Sequence, residues 1–214
     1  MFSLRGYYAI VDATAVLVGD GEALERRTRQ LLEAGPCCLQ LRAKEIGARI
    51  LAAAARRMLP LCRAAGVPFC VNDRLDVALA VGAEVVHLGQ DDLPLADALR
   101  VRVVAGRPDL VVGFSTHNAA QAVAAASAGA DYIGFGPVFA TSSKLNPDPV
   151  VGLKQLAEVC RSASVPVVAI GGVRPEHARL LADAGASATA VISAVNGAAD
   201  PTAAGRQVAA AWLR

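Results

Sequence analysis

The chain has 214 residues, a formal net charge of +2 from 21 basic and 19 acidic residues, and a hydrophobic fraction of 54%. The balanced charge and an aromatic content of only 4% argue against nucleic acid or a membrane surface as the main partner. Polar residues or glycine interrupt every apolar run before it reaches the roughly 18 residues of a membrane span. The N-terminus leads into an apparent strand too soon for a signal peptide. We therefore expect a cytoplasmic protein that forms one domain over residues 1–214.

A strand signal followed by a helix signal recurs eight times along the chain. The predicted strands cover residues 7–11, 38–41, 69–71, 85–88, 111–114, 132–135, 167–170 and 189–192. Several of the helical stretches between them end in Ala-Gly, which is a typical helix stop. This short alternation indicates parallel strands joined by right-handed crossovers. Eight such units predict an α/β fold, a single (β/α)8 TIM barrel; a doubly wound open sheet is the alternative, although its usual strand count is lower.

A row of polar side chains follows the second predicted strand. Gln40, Arg42 and Lys44 stand at alternate positions, so all three side chains share one face of the strand. In a barrel that face points into the lumen, where such a row is costly in a packed core but suits a polyanion at the mouth. The alternative is that Arg42 and Lys44 are simply exposed in the loop after the strand.

Two carboxylates end neighbouring strands. Asp73 follows the third predicted strand and Asp92 follows the fourth, so in a barrel they can face one another across a gap suited to a hard divalent cation. Each has another reading: Asp73 as the N-cap of a helix beginning near Leu75, and Asp92 as the cap of the turn at Leu93. Because the two carboxylates lie beside the cations Arg42 and Lys44, we favour a site that binds Mg²⁺ together with a diphosphate.

The last two units indicate a separate phosphate site. Gly171 and Gly172 follow the seventh strand and allow backbone N–H groups to approach an anion, while a short helix after Ile192 and Ser193 adds a positive dipole end. Barrels commonly bind phosphate at these two loops. An ordinary tight turn is the other explanation for the glycines. The irregular segment 140–151 is typical of a lid or a substrate loop.

The motifs YYAIVD, LQLRAK, VND, VHLGQDD, VGFSTH, ADYIGFGPVFATSSK, VVAIGGV and AVISAV occur in this order along nearly the whole chain. Together they resemble the thiamine-phosphate synthase family, which shares a barrel superfamily with the thiazole tautomerases. The resemblance implies an enzyme that joins 4-amino-2-methyl-5-hydroxymethylpyrimidine diphosphate to a thiazole phosphate. The products are thiamine phosphate and diphosphate, with CO2 released in addition when the thiazole is carboxylated.

The resemblance also assigns residues to the pyrimidine diphosphate and to the metal. Those implied to contact the pyrimidine diphosphate or the charge on its leaving group are Gln40, Arg42, Lys44, Asn72, Ser115 and Lys144. Those implied to bind Mg²⁺ are Asp73 and Asp92. Stabilisation of the departing diphosphate lets the aminopyrimidine form a carbocation that the thiazole nitrogen attacks, so no protein nucleophile is expected.

A second set is implied for the thiazole phosphate. Its members are Thr141, Ser143, Gly172, Ile192 and Ser193. Ser143 replaces a threonine of the family pattern and keeps the hydroxyl, whereas Val11 stands where the family more often has threonine and could reshape the pocket floor beside Tyr8.

The remaining candidates have weaker assignments. His87 and His117 are interpreted as packing or hydrogen-bonding residues rather than as an acid or base, and His177 is given no role. The five cysteines stand in apolar contexts without metal or redox spacing, so we expect reduced core residues.

Two other functions stay open at this stage. A thiazole tautomerase would use the same phosphate site but has no use for the metal and diphosphate residues. A degenerate barrel with a regulatory role would have lost charge at the matched positions, which are intact here. The sequence leaves open whether the barrel forms a homodimer.

Overall fold

The computed structural model describes residues 4–13, 19–141 and 148–213. Its eight strands are parallel and form a closed barrel in chain order. They are β1 (Gly6–Asp12), β2 (Cys38–Arg42), β3 (Phe69–Asn72), β4 (Val85–Leu88), β5 (Val111–Thr116), β6 (Tyr132–Phe135), β7 (Val167–Ala169) and β8 (Ala188–Val191). β8 pairs with β1, with Gly6 opposite Ala188, so the sheet has no open edge. The predicted (β/α)8 barrel is confirmed, and the open-sheet alternative is wrong.

Helices cover the outside of the barrel. They are α1 (Gly21–Leu32), α2 (Ala48–Ala64), α3 (Leu75–Val81), α4 (Leu95–Val104), α5 (Ala119–Ser127), α6 (Gly152–Ser162), α7 (Ala178–Asp183), α8 (Ser193–Asn196) and α9 (Pro201–Ala209), with 3₁₀ turns at Pro175–His177 and Ala210–Trp212. Side chains of Asp20, Asn118 and Asp200 accept hydrogen bonds from backbone N–H groups at the starts of α1, α5 and α9. Within the described ranges, no helix combines the length and the apolar character needed to cross a membrane.

The period of two along the strands divides the apolar residues into two cores. Tyr7, Ala9 and Val11 of β1 belong to the larger core, which lies between the sheet and the helices. Tyr8 and Ile10 belong to a smaller core inside the barrel. Strands of a closed barrel require this alternation, because successive side chains point to opposite faces of the sheet. The same alternation decides which polar side chains at the strand ends face the lumen.

Candidate active site

A cavity of about 430 Å³ opens at the C-terminal ends of the strands. Every strand contributes at least one lining residue, as expected for a barrel active site. The residues proposed from the sequence that line this cavity are Gln40, Arg42, Lys44, Asn72, Asp73, Asp92, Ser115, Thr141 and Ile192. Residues that are up to 152 positions apart, from Gln40 to Ile192, therefore meet in one space.

An adjoining cavity of about 580 Å³ lies beside the loops that follow β7 and β8. Gly172 and Ser193 line it, and Thr141 lines both cavities and so connects them. Ser143 and Lys144, the other two residues proposed for the site, lie outside the described residues. Of the residues proposed for the thiazole phosphate, Gly172 and Ser193 line only the second cavity, whereas Ile192 lines the main cavity beside the residues proposed for the diphosphate.

The polar row after β2 is held by partners on the neighbouring strands. Gln40 is 3% exposed and donates from Nε2 to the Tyr8 hydroxyl at 3.0 Å. Arg42 forms an ion pair with Asp12 at the end of β1, and Lys44 forms one with Asp73 at the end of β3. The Arg42 side chain is only 18% exposed and belongs to the cavity wall, whereas Lys44 lies past the end of β2 with 55% of its side chain exposed, as the alternative held for it. Two cations thus lie in the mouth with their carboxylate partners already in place.

The carboxylates of Asp73 and Asp92 contact each other at the rim of the cavity. Asp73 has φ of +64°, a conformation that non-glycine residues seldom adopt and that turns the chain sharply after β3. Arg74, and not Asp73, is the N-cap residue of α3, so the N-cap alternative for Asp73 is wrong. Asp92 Oδ2 accepts the Gly89 N–H at 2.6 Å, a bond within the turn that precedes Leu93, in keeping with its alternative as a turn cap.

The electrostatics of this pair suit a divalent cation. Burial raises the pKa of the Asp92 carboxyl, and the charge of Asp73 raises it further, against the lowering by the Gly89 N–H and Lys44. A hard cation between the two carboxylates would relieve that repulsion, and paired carboxylate oxygens are ligands that Mg²⁺ accepts. The described residues contain no cluster of three or more His, Cys, Asp or Glu side chains arranged to hold a metal.

The two glycines after β7 are required by a close backbone approach. Gly171 and Gly172 have φ of +95° and +62°. A Cβ atom would lie 2.4 Å from Pro137 Cα at the first position and 2.2 Å from the Ala140 carbonyl oxygen at the second. The two glycines therefore form a tight turn, which was the alternative explanation for them. The same turn brings Gly172 to the wall of the second cavity.

A buried polar floor lies at the bottom of the main cavity. The Tyr8 and Tyr132 hydroxyls are 3.0 Å apart, and His87 Nδ1 lies 3.0 Å from the Tyr132 hydroxyl. Burial raises the pKa of both tyrosines well above its usual value and lowers the pKa of His87 to about 4, with Asp73 opposing the latter. At neutral pH the floor is uncharged.

Comparison with known proteins shows the family. The family model described as thiamine monophosphate synthase matches residues 7–195. The chain belongs to the thiamine monophosphate synthase family. It is 44% identical to the thiamine-phosphate synthase of Laribacter hongkongensis over 94% of this chain and 92% of that one. It is 45% identical to the enzyme of that name from a Roseiflexus species over 93% and 81%.

A solved structure extends the likeness to three dimensions. The thiamine phosphate pyrophosphorylase from Pyrococcus furiosus superposes with a TM-score of 0.82 at 34% identity, covering 97% of this chain and 95% of that one. The thiamine monophosphate synthase family was the one indicated by the ordered motifs, so that prediction is confirmed.

Some residues that line the two cavities were not predicted from the sequence. Tyr132 was treated only as a strand residue, because its signal is that of any buried aromatic in β6. Arg174 and His177 line the second cavity, where the His177 ring lies 4.2 Å from that of Phe139. Giving His177 no role overlooked this contact, which depends on the 3₁₀ turn at Pro175–His177 and not on a helical face.

Proposed function

We propose that the protein is a thiamine-phosphate synthase that joins 4-amino-2-methyl-5-hydroxymethylpyrimidine diphosphate to a thiazole phosphate and releases diphosphate. The supporting observation is the convergence of Gln40, Arg42 and Lys44 with Asp73 and Asp92 in one cavity. A second cavity for a phosphate adjoins it through Thr141. Two anionic substrates can thereby be bound side by side, which is the arrangement that joining them requires.

The pyrimidine diphosphate is assigned to the main cavity. In this proposal Gln40 meets the pyrimidine, while Asn72, Arg42 and Lys44 bind the diphosphate as donors or cations. Ser115 donates its hydroxyl hydrogen to the same group, and the Lys144 ammonium is proposed to bind it as well. These donors stabilise negative charge that increases as the C–O bond to diphosphate breaks, so they act more strongly on the transition state than on the substrate.

The two carboxylates are assigned to Mg²⁺. Asp73 and Asp92 would hold the cation, which when bound supplies positive charge to the leaving diphosphate. The mutual contact of the two carboxylates supports this assignment, because like charges this close repel each other and a cation between them would relieve that repulsion.

The thiazole phosphate is assigned to the second cavity. Thr141, Ser143, Gly172 and Ser193 are proposed to bind the phosphate, with Ile192 packing at the boundary between the two cavities. That placement turns the thiazole toward the pyrimidine, so that its nitrogen can attack the carbocation left after diphosphate departs. Orientation and charge stabilisation then account for the chemistry without a nucleophilic side chain.

The decisive assay mixes the purified protein with both substrates, with and without Mg²⁺, and measures diphosphate release and thiamine phosphate. We expect product only with Mg²⁺. Isomerisation of the thiazole phosphate alone, with no coupling product, would instead identify a tautomerase, and binding without turnover would identify a regulatory barrel.

A matched pair of variants tests the metal assignment in the same assay. Asp92→Ala is expected to raise the Mg²⁺ concentration needed for half-maximal rate and to lower turnover. Asp97→Ala serves as its control, because Asp97 lies on α4 and pairs only with the exposed Arg100 in the described part of the chain. An unchanged rate of Asp92→Ala at limiting Mg²⁺ would remove that residue from the metal site.

A further inference from the structure

A continuous chain of hydrogen bonds crosses the floor of the main cavity. Gln40 Nε2 donates to the Tyr8 hydroxyl at 3.0 Å, and that hydroxyl lies 3.0 Å from the Tyr132 hydroxyl. The Tyr132 hydroxyl lies 3.0 Å from His87 Nδ1, and His87 Nε2 lies 2.9 Å from Ser115 Oγ. The chain begins and ends on residues proposed for the pyrimidine diphosphate, and the three residues between them were given no chemical role by sequence.

The barrel is built to admit the rings of this chain. A Cβ at Gly113 would lie 2.1 Å from Cζ of Tyr132, and a Cβ at Gly134 would lie 3.1 Å from Cε1 of His87. A side chain at Gly113 would therefore push the tyrosine from its place, and one at Gly134 would crowd the imidazole. The Tyr132 ring is 1% exposed, so packing holds its hydroxyl beside Tyr8, His87 and the Cys70 thiol.

The first donor of the chain favours one direction. The Gln40 amide nitrogen can only donate, so the Tyr8 hydroxyl accepts there and keeps its single hydrogen for Tyr132 or for the neighbouring Cys70 thiol. When that hydrogen goes to Tyr132, the Tyr132 hydroxyl donates to His87 Nδ1. The ring of a neutral histidine that accepts at Nδ1 carries its hydrogen on Nε2, and that hydrogen points to Ser115 Oγ.

We propose that Tyr8, Tyr132 and His87 are positioning residues that turn the hydroxyl hydrogen of Ser115 into the main cavity. Because Ser115 Oγ accepts from His87, its own hydrogen remains for an anion in the cavity. In the opposite direction Ser115 would donate to His87 and present only lone pairs to the diphosphate, which would repel it. This proposal rests on the proposed function for its anionic ligand, but the direction of the chain is a property of the protein alone.

The first test is the tautomer of His87 in the ligand-free protein. Long-range ¹H–¹⁵N spectra of protein labelled at its three histidines, with His87→Gln used for assignment, report which ring nitrogen carries the hydrogen. We expect the hydrogen on Nε2, and a loss of that preference in Tyr132→Phe. A hydrogen on Nδ1 in the wild type would overturn the proposal, and this result does not depend on which reaction the protein catalyses.

The second test is a double-variant cycle in the synthase assay. Tyr132→Phe is expected to lower kcat roughly tenfold, less than the ~100-fold or more that follows loss of a charge-stabilising donor, and to leave the KM of the thiazole phosphate unchanged. In a Ser115→Ala background the same change is expected to have almost no effect, because there is no hydroxyl left to orient. An equal loss in both backgrounds would overturn the proposal.

The control for the cycle is Tyr7→Phe, which removes a buried hydroxyl from the outer face of the same sheet and should leave kcat unchanged. Should Tyr132→Phe fold poorly, Tyr8→Phe interrupts the chain one bond earlier, and the same dependence on Ser115 is expected. A wild-type protein that makes no thiamine phosphate would count against the proposed function, while the tautomer measurement would still decide the direction of the chain.

Discussion

Adjacent tyrosines in β1 show how strongly a single residue's position decides its energetics. The Tyr8 side chain faces the lumen and its hydroxyl bonds to Gln40 and Tyr132. The Tyr7 side chain faces the helices, where its hydroxyl is buried and has no hydrogen-bond partner among the described residues. A buried hydroxyl without a partner costs on the order of 1–3 kcal/mol, and Tyr7 shares this state with Arg102 Nε and Thr189 Oγ1 among the described residues.

Tyr7→Phe should therefore stabilise the protein. We expect the free energy of unfolding to rise by about 1 kcal/mol, since the ring keeps its packing and only the unsatisfied oxygen is removed. Denaturant unfolding monitored by circular dichroism measures this, with Tyr8→Phe as the matched variant that should lose stability. A loss of stability in Tyr7→Phe would mean that the hydroxyl has a partner in solution.

Burial raises the pKa of several of the five cysteine thiols. Burial raises the pKa of Cys160 to about 11, against a lowering by Arg161, and raises those of Cys37 and Cys62 to about 12. Because only the thiolate reacts, the rate at which Cys160 is alkylated should rise about tenfold per pH unit from pH 8 to pH 10. An ordinary thiol, with a pKa near 9, would instead level off above that pH.

Alkylation rates followed by intact mass spectrometry over this pH range test the prediction. Cys160→Ser is the control, because it should remove the fastest-reacting thiol of the folded protein. A plateau near pH 9 would show that the Cys160 thiol is better solvated than its burial indicates.

At the scale of elements, α8 depends on one asparagine. Asn196, its last residue, donates from Nδ2 to the carbonyl oxygens of Ile10 at 2.7 Å and Ile192 at 2.8 Å, and so fixes the helix to the end of β1. α8 has only four residues and cannot be stable by itself. The position of Ser193, at its start, thus depends on a contact that spans 186 positions in sequence.

Asn196→Ala should consequently weaken binding at the second cavity. Loss of about 1 kcal/mol of hydrogen bonding predicts that the KM of the thiazole phosphate rises about fivefold, with that of the pyrimidine diphosphate little changed. Steady-state kinetics with each substrate varied in turn measure the difference. Ser187→Ala is the control, since Ser187 precedes the N-terminal end of β8 and its hydroxyl accepts a hydrogen bond from the Val167 N–H. An equal effect of Ser187→Ala would indicate general loosening of the strand.

The elements themselves were largely predictable. All eight predicted strands are present with ends that differ by at most two residues, because buried β-branched runs and the helix stops between them are local signals. The common face of Gln40 and Arg42 follows from the period of two in the same way, whereas Lys44 lies past the end of β2. The partners of this row did not follow, since Asp12 and Tyr8 reach it only through the pairing of β1 with β2.

At the scale of the molecule, the hydrogen-bonded floor and the second cavity were not predictable for the same reason. Tyr8, His87 and Tyr132 lie on β1, β4 and β6, and only the closed barrel brings them together. Periodicity along one strand says which face a side chain occupies but not what lies opposite. The two-cavity site is therefore a property of the closed sheet, and so is its response to ligands.

Because all eight strands line the site, bound substrates should stabilise the whole barrel. A ligand at about 100 times its Kd adds roughly 2.7 kcal/mol to the free energy of unfolding, which for a chain of this size corresponds to a rise in Tm of about 5–10 °C. We expect each substrate to produce such a shift alone, and the shift with the pyrimidine diphosphate to require Mg²⁺. In differential scanning calorimetry Asp92→Asn should lose only the Mg²⁺-dependent shift, and Ser193→Ala should lose part of the shift with the thiazole phosphate. The two effects should be independent, since the two variants act on separate cavities. A Mg²⁺-dependent shift retained in Asp92→Asn would place the cation elsewhere.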